Sequence, residues 1–573
     1  MTRLERKVQK IIKKHHLNVD FRIIDGRFLA LEGTIEHYLD GVHLCLDLAK
    51  EKLFVHVINN LIAKDVKEEK IYTPKIEDNK LDGRSYDVAI IGGGVIGASI
   101  AKNLSIYPLK VIVLEKEEDI ALEASSRNDG CIHPGIDLKK DSLKLYHLRR
   151  SLKMMDELAK ELDFDYAKDG QMIVFSSKIY AMIAKIYLKH KVKSNKIPGF
   201  VYLKKDKLWE KEPNLDRTFK YGYFFPECGA VSPYEMSIAM MEYAHMNGVE
   251  VSLNTLVKNF EIVDKKIKKI KTNRGVIEAK VLVNASGVYS EDIAKLAHDH
   301  YFSIHPRKGT DVILDKDSYQ ILSTSGMTAL DSLRARKKSH SKGGGVIPTV
   351  DRNVLIGPNA IETPYKDDYS VSKDVYDSLF DKYKHYMPKL NKGSTLTYFT
   401  GVRAPTYEED FIVERGYFID NIIHAAGIQS PGLTSAPSIG LTIKDICLDM
   451  LGIKEPKENY IKQRKRIVNI KNLNDEEKDK YILEDEDHGK IVCRCEEVNA
   501  FMVKEAINRC FNVPTVDAIK RRVRAGMGKC QGGFCRPEVV KLIAKLKNID
   551  VEEVAIKGED GFLSEIGRYD DEK

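Results

Sequence analysis

Apolar positions change their period several times along the 573 residues. Leu4, Val8, Ile11 and Ile12 recur at helical spacing among basic residues and predict an amphipathic helix. Phe21 to Ile35 alternates apolar and polar positions and is interrupted at Asp25-Gly26, a hairpin signal. A helix near Tyr38–Glu51 and a strand at Leu53–Ile58 complete a small N-terminal unit. From Ser85 to about Leu451, strand-like and helix-like stretches alternate, which predicts an α/β domain with a parallel sheet and antiparallel insertions. Lys454 to Lys490 is dense in charge and reads as a solvated connector. Residues 491–547 are rich in Cys, Gly and Arg, and a polar tail closes the chain. The expected boundaries are therefore 1–84 (module and linker), 85–452, 453–490, 491–547 and 548–573.

Composition narrows the function classes. Apolar residues make up 43%, enough for a sizeable core, so a disordered or fibrous chain is excluded. A net charge of +7 over this length does not point to nucleic acid or a membrane surface. The most apolar stretch, Val88 to Ala101, holds four glycines and falls short of the ~20 residues of a membrane span. The basic N-terminus has no apolar signal core, so a cytoplasmic protein is expected, at most peripheral at a membrane through a partner. Nine cysteines are too few for a disulfide scaffold, but five of them follow residue 490, which points to a local ligand cluster.

The first chemical motif is Gly92-x-Gly94-x-x-Gly97. It directly follows the apolar run Val88–Ile91 and opens the helix-like Ala98–Leu104; a second strand, Val111–Leu114, ends in Glu115. This is the dinucleotide fingerprint in its required context. The glycines allow a tight turn, approach of a pyrophosphate and close helix–strand packing, and the acidic residue meets the ribose hydroxyls. The motif alone does not separate FAD from NAD. Three later segments do: Ser125 to Gly135, the strand Val281–Gly287, and Ala425 to Thr434, which precedes a helix whose N-terminus favours negative charge.

On these segments the chain resembles the FAD-dependent oxidoreductases of the D-amino-acid oxidase superfamily over about residues 86–450. Within it, the chain is similar to the glycerol-3-phosphate dehydrogenases and the L-2-hydroxyglutarate dehydrogenases. The stretches "SSRNDGCIHPGIDLKKDSLK", "KGGGVIPTVDRNVLIGPNA" and "GVRAPTYEEDFIVE" carry the resemblance. It implies a Rossmann-type FAD-binding domain with an inserted antiparallel-sheet substrate domain. Residues implied at the cofactor are Gly92, Gly94, Gly97, Glu115, Ser126, Asn128, Gly130, Val257, Ala285, Gly287, Gly427, Gly432, Leu433 and Thr434. It also implies a small anionic hydroxy substrate. Arg403 would pair with the anionic group, since a guanidinium meets two oxygens at once. His133 is the base candidate or an orienting group, and Lys308 is placed near the flavin ring. Cys131 is expected to pack rather than react. Residues 1–84 resemble the small αβ BON module; a docking extension is the alternative reading.

At the C-terminus, Cys493-x-Cys495 and Cys530-x4-Cys535 supply two close pairs, the four thiolates a 2Fe–2S cluster needs. Glycines 526, 528, 532 and 533 let backbone approach the sulfurs. Arg494, Lys529 and Arg536, with Arg521, Arg522 and Arg524 nearby, are expected to offset the cluster's negative charge. Structural zinc is the rival, but this spacing is poor for a zinc ribbon. The stretch "IVCRCEEV…AIKRRVRAGMGKCQGGFCRPEV" resembles the bacterioferritin-associated-ferredoxin-like module at all four cysteines. Cys45, Cys228, Cys447 and Cys510 have no ligand spacing and are expected to be buried.

Flavin domain and cluster module together resemble the catalytic subunit of anaerobic glycerol-3-phosphate dehydrogenase. That implies a dehydrogenase handing electrons to a partner flavoprotein or a quinone-linked subunit. A 2-hydroxy-acid dehydrogenase or oxidase, and an electron-transfer subunit with no substrate of its own, stay open as alternatives. The cluster is either an electron exit or a structural device.

Overall fold

The computed structural model describes residues 2–69, 71–324, 326–329, 344–509, 511, 513–558 and 561–562. Residues 3–63 form helix Arg3–Lys14, strands Asp20–Ile24 and Phe28–Ile35, helix Tyr38–Lys50 and strand His56–Ala63. The first two strands are antiparallel, and the third lies parallel to the second. Asp25 and Gly26 both take positive φ, as a tight two-residue turn requires. This sheet packs onto the large domain: Phe28 meets Tyr417 edge-on at 4.8 Å, and Glu408 binds both His56 Nδ1 (3.1 Å) and the Val57 amide (2.8 Å).

In the large domain the apolar run becomes β1 (Ser85–Ile91), followed by α1 (Val95–Leu104) and β2 (Val111–Leu114). The strands Glu250–Ser252, β2, β1, β3 (Gly275–Asn284) and Ile422–Ala426 lie side by side and parallel in that order. Numbered along the chain the order is 3-2-1-4-5, the doubly wound arrangement, with its ligand crevice at the carboxyl ends of the strands. The strands read as continuous apolar runs because helices cover the sheet: Val88, Ile90, Val113, Val283 and Ile423 are fully buried with α1 residues and Ile439.

A second, nine-stranded and mostly antiparallel sheet holds β4 (Arg307–Leu314) and β5 (Thr395–Arg403), which pair along their whole length. One face of this sheet buries Val312, Leu314, Val354 and Ile356 against Leu379, Phe380 and Tyr383 of helix Lys373–Lys384. The other packs Ile347 and Leu355 on Cys131. Cys131 is a packing residue, as expected, and burial pushes its thiol well up. Cys45, Cys228 and Cys447 are buried; Cys510 lies outside the described residues.

The charged stretch 453–490 is not a free connector. Arg464 is buried and bonds Glu242 (2.5 Å) and the Leu162 carbonyl (2.7 Å); Arg466 forks onto Asp165 and also binds Asp163. The charges are matched by acidic groups far away in sequence, which pin the segment to the domain. Nor is 548–573 wholly a tail. Val554 joins the core of the cysteine module, strands Ala555–Lys557 and Gly561–Phe562 pair, and Gly558 N donates to Glu118. Residues 559–560 and 563–573 lie outside the described residues.

The arginines after residue 520 do something other than offset cluster charge. Arg522 forks onto Asp119 at 2.7 and 3.0 Å, and Arg521 binds the same carboxylate. Arg524 reaches Asp351 (2.6 Å), Tyr234 (2.9 Å) and Glu496 (3.0 Å). They dock the cysteine module onto the large domain. Burial alone would raise the Asp119 carboxyl, but Arg522 and Arg521 outweigh it and hold it below the ordinary range. Asp119→Ala is expected to cost about 3–5 kcal/mol by removing the buried carboxylate that the Arg521 and Arg522 guanidiniums share, read as earlier thermal release of the cysteine module. In the wild type this contribution is present above the unfolded carboxyl pKa of about 3.9 and is lost as pH falls through the lower folded value. The docked module therefore loosens only in acid.

Candidate functional site

The glycine turn between β1 and α1 is packed so tightly that no side chain fits. A Cβ on Gly97 would lie 1.9 Å from the Gly92 carbonyl oxygen, and Gly92 itself has φ +105°. Gly94 caps α1 without a side-chain cap, and Val95 N, the first amide of the helix, donates to Ser125 Oγ (2.9 Å). Glu115, at the end of β2, is buried and accepts from the Gly93 amide (2.5 Å) and the Glu117 amide (2.9 Å). Burial raises its carboxyl, and those two amides oppose the shift. Across the crevice, Ala285 follows β3, and a Cβ on Gly287 would meet no atom within 4 Å, so open space faces that turn. These residues fit a dinucleotide: a helix N-terminus for the phosphates, a carboxylate for the ribose and glycines where the backbone must come close. Gly97→Val is expected to abolish retention of the flavin, read as loss of yellow absorbance in purified protein, because backbone must move to admit the side chain.

Other candidates shape the cradle. Asn128 Nδ2 donates to the Ala124 and Ser125 carbonyls (3.0 Å each), its Oδ1 accepts from Gly130 N (3.0 Å), and Ser126 Oγ donates to the Ala121 carbonyl. Val257 is buried beneath the end of β2 with Leu114 and Ile91. Gly427 takes φ +67° ahead of α2 (Gly432–Leu451). Leu433 packs on the apolar core. Thr434 Oγ1 donates to the Cys131 carbonyl (3.2 Å) and accepts from His133 N (3.2 Å). The first turn of α2 thereby fixes the strand that carries His133.

His133 Nε2 lies 3.3 Å from Ser430 Oγ, so the imidazole is held at the entrance to α2. Ser430 lies within the Ala425–Thr434 segment, and no motif in the sequence marks it out. Arg403 ends β5 with its guanidinium lying over Gly309, where a Cβ would come within 2.2 Å of NH2. One N–H donates to the Asn359 carbonyl (3.1 Å). Desolvation pulls the guanidinium pKa down, and Asp311 and Asp129 oppose it without fully compensating. Its register partner Arg307 is the reverse case: it binds Glu362 (2.6 Å), Glu409 (2.7 Å) and Gln429 (3.3 Å). Burial would raise the Glu409 carboxyl, yet Arg307 and Lys144 hold it down at about 2. Arg307 is neutralised in place, whereas Arg403, half-buried, has no carboxylate within hydrogen-bond distance among the described residues.

Lys308 does not join this group. Side chains alternate along a strand, so Lys308 and its partner Val402 face away from Arg403. Lys308 Nζ is bound to Asp368 (2.7 Å) and Ser370 (3.0 Å). The sequence places it near the ring by family position alone, which carries no information on the face.

In the C-terminal module, Cys495 and Cys530 Sγ are 3.7 Å apart, and the Cys493 thiol bonds that of Cys535. Two thiolates on one tetrahedral metal at ~2.3 Å would stand ~3.8 Å apart. Two such pairs suit two irons. Among the described residues, no group of three or more His, Cys, Asp or Glu converges as a single zinc ion would need. Bonding to Cys535, aided by the Gly526 and Glu496 amides against burial, holds the Cys493 thiol below its usual range. The Phe534, Gly532 and Gly533 amides do the same for Cys530. Close approach is enforced at Gly528, where a Cβ would sit 2.2 Å from Cys495 Cβ. Cys535 caps α3 (Arg536–Lys547), whose N-terminus faces the sulfurs. Cys493 and Cys535 are buried, Cys495 exposed and Cys530 half-buried.

The sequence matches the FAD dependent oxidoreductase family over residues 87–446 and the BFD-like 2Fe-2S binding domain over residues 491–545. The chain belongs to the FAD dependent oxidoreductase family; it is an enzyme with FAD and a 2Fe–2S cluster as cofactors. It is 34% identical to a glycerol 3-phosphate dehydrogenase of Caloramator mitchellensis, over 83% of this chain and 98% of that protein. A mitochondrial L-2-hydroxyglutarate dehydrogenase of Arabidopsis thaliana is 26% identical over 62% of this chain and 81% of that protein. Among solved structures, the dithionite-reduced L-alpha-glycerophosphate oxidase of Mycoplasma pneumoniae with FAD bound is similar, with TM-score 0.61 and 28% identity. That match covers 67% of this chain and 99% of the oxidase.

Proposed function

We propose that the chain oxidises glycerol 3-phosphate to dihydroxyacetone phosphate and sends the electrons through its 2Fe–2S module to a separate acceptor, an electron-accepting flavoprotein or a quinone-linked subunit. The observation that carries this reading is Arg403: a half-buried guanidinium whose hydrogen-bond partner among the described residues is the Asn359 carbonyl and whose charge desolvation disfavours. When bound, FAD supplies the two-electron acceptor for the substrate C–H, and the cluster supplies one-electron steps. Arg403 holds the phosphate and so fixes which carbon faces the ring. His133 Nε2 takes the proton of the C2 hydroxyl, which takes the place of the Ser430 Oγ contact at that nitrogen. Thr434 keeps the His133 backbone against α2, so that the base and the helix N-terminus move as one unit.

Identity to the Caloramator enzyme extends over 83% of this chain, more than the 62% matched by the Arabidopsis hydroxyglutarate enzyme, and favours the phosphate substrate. L-2-hydroxyglutarate is the second reading. Among the described residues no helix is long and apolar enough to cross a membrane. The test is anaerobic bleaching of the purified holoprotein by a panel. Glycerol 3-phosphate is expected to bleach the flavin at least about a hundredfold faster than L-2-hydroxyglutarate or glycine; the reverse order would assign the chain to hydroxy acids.

A further inference from the structure

Helix Lys178–Asn195 lies between strands Gln171–Phe175 and Val201–Lys204 of the second sheet and shows two unlike faces. Its inward face is narrow. Ala181 and Leu188 pack with Phe175, Tyr223 and Phe225, and Asn195 Nδ2 donates to the Gly135 and Leu138 carbonyls (3.1 Å each). The opposite face is apolar too, yet it meets solvent: Ile179 is 71% exposed, Met182 57%, Ile183 51% and Ile186 74%. At 3.6 residues per turn these four lie within an arc of about 100°, a stripe along the start of the helix. Single exposed apolar side chains are ordinary, whereas four on one helical stripe make a surface that suits an apolar partner.

The charges beside the stripe select the occupant. The helix and its C-terminal cap hold Lys178, Lys185, Lys189, Lys191, Lys193 and Lys196 and no Asp or Glu. Lys185 and Lys191 turn back onto the protein, to the Tyr202 ring and the Leu138 carbonyl. Lys178, Lys189, Lys193 and Lys196 are exposed. By helical position Lys178 and Lys189 flank the stripe on one side, Tyr180 and Tyr187 on the other. A second copy of this face would bring two sets of lysines together with no carboxylate on either helix to meet them. An anionic bilayer fits every part: phosphate headgroups meet the ammonium groups, the Ile and Met side chains enter the acyl boundary, and tyrosines suit the depth between. We propose that helix Lys178–Asn195 lies along an anionic membrane surface and seats this chain directly on the bilayer. Its lysines keep the helix in the plane of the surface rather than across it. The net charge of +7, dilute over the whole chain, is here matched by a local concentration of cations beside apolar surface. The proposal uses neither the substrate nor the cluster and so stands apart from the function proposed above.

The experiment is flotation of the full-length holoprotein with vesicles of phosphatidylglycerol and phosphatidylcholine in equal parts, or of phosphatidylcholine alone, at about 0.1 M salt. Wild type is expected to bind the anionic vesicles at least about tenfold more tightly than the neutral ones. Ile183→Gln combined with Ile186→Gln leaves the charge unchanged and should weaken binding to the anionic vesicles by at least about tenfold. FAD content and thermal melting should not change, because both side chains stand mostly in solvent. Lys189→Gln combined with Lys193→Gln should weaken binding to the anionic vesicles about tenfold and leave the neutral ones alone. Wild type that stays free of the anionic vesicles overturns the proposal, as does an isoleucine variant that binds them like wild type, since the lysines alone would then account for the contact. A wild type that sediments as a dimer without lipid, with the isoleucine variant a monomer, assigns the stripe to a second copy and also overturns it. If the isoleucine variant does not fold, undiminished binding of the lysine variant to the anionic vesicles overturns it.

Discussion

Arg403→Met is expected to lower kcat/KM for glycerol 3-phosphate by about a thousandfold, ~4 kcal/mol, with the melting temperature nearly unchanged. The asymmetry with its neighbour makes the prediction specific. Among the described residues Arg403 has one carbonyl partner, and desolvation already disfavours its charge. Removing it orphans little inside the protein and takes away the cation that meets the substrate. Arg307 satisfies Glu362, Glu409 and Gln429, so Arg307→Met should strip two largely desolvated carboxylates of their guanidinium, leaving Glu362 to His305 and Glu409 to Gln429 and Lys144, and act through stability instead. Steady-state kinetics and thermal melting on the two variants separate these outcomes. A loss below about tenfold for Arg403→Met would mean that the phosphate is held elsewhere.

The second large effect belongs to Cys530→Ser. Serine keeps the shape but is a poor ligand for iron, and Cys495 would lose the sulfur 3.7 Å from its own. Iron and acid-labile sulfide are expected to fall from about two of each per chain to near zero, while FAD content and substrate bleaching persist. Turnover with an acceptor protein should then collapse, because electrons no longer have a one-electron exit. Turnover that continued at the wild-type rate would make the cluster a structural device of the module.

Parts of the fold that depend on neighbours in sequence were legible from sequence. The β1–α1–β2 unit with Glu115 and the four cysteines declare themselves, because phosphate approach and metal ligation both demand particular residues at short spacings. What stayed hidden depends on pairing across long separations. Lys454 to Lys490 reads as solvated until Glu242 and Asp163 meet Arg464 and Arg466. Arg521, Arg522 and Arg524 look like counter-charges for a cluster until Asp119 and Asp351 appear opposite them. Lys308 and Arg403 seem alike in a one-dimensional string, yet register places them on opposite faces of the β4–β5 pair.

The most direct test of the central claim is rapid anaerobic mixing of holoprotein with glycerol 3-phosphate, with flavin absorbance and the paramagnetic signal of the reduced cluster followed together. The account predicts that the flavin bleaches first and that the cluster signal then rises at the expense of the reduced flavin. A flavin that bleaches while the cluster stays oxidised, or one that this substrate leaves yellow, would contradict it.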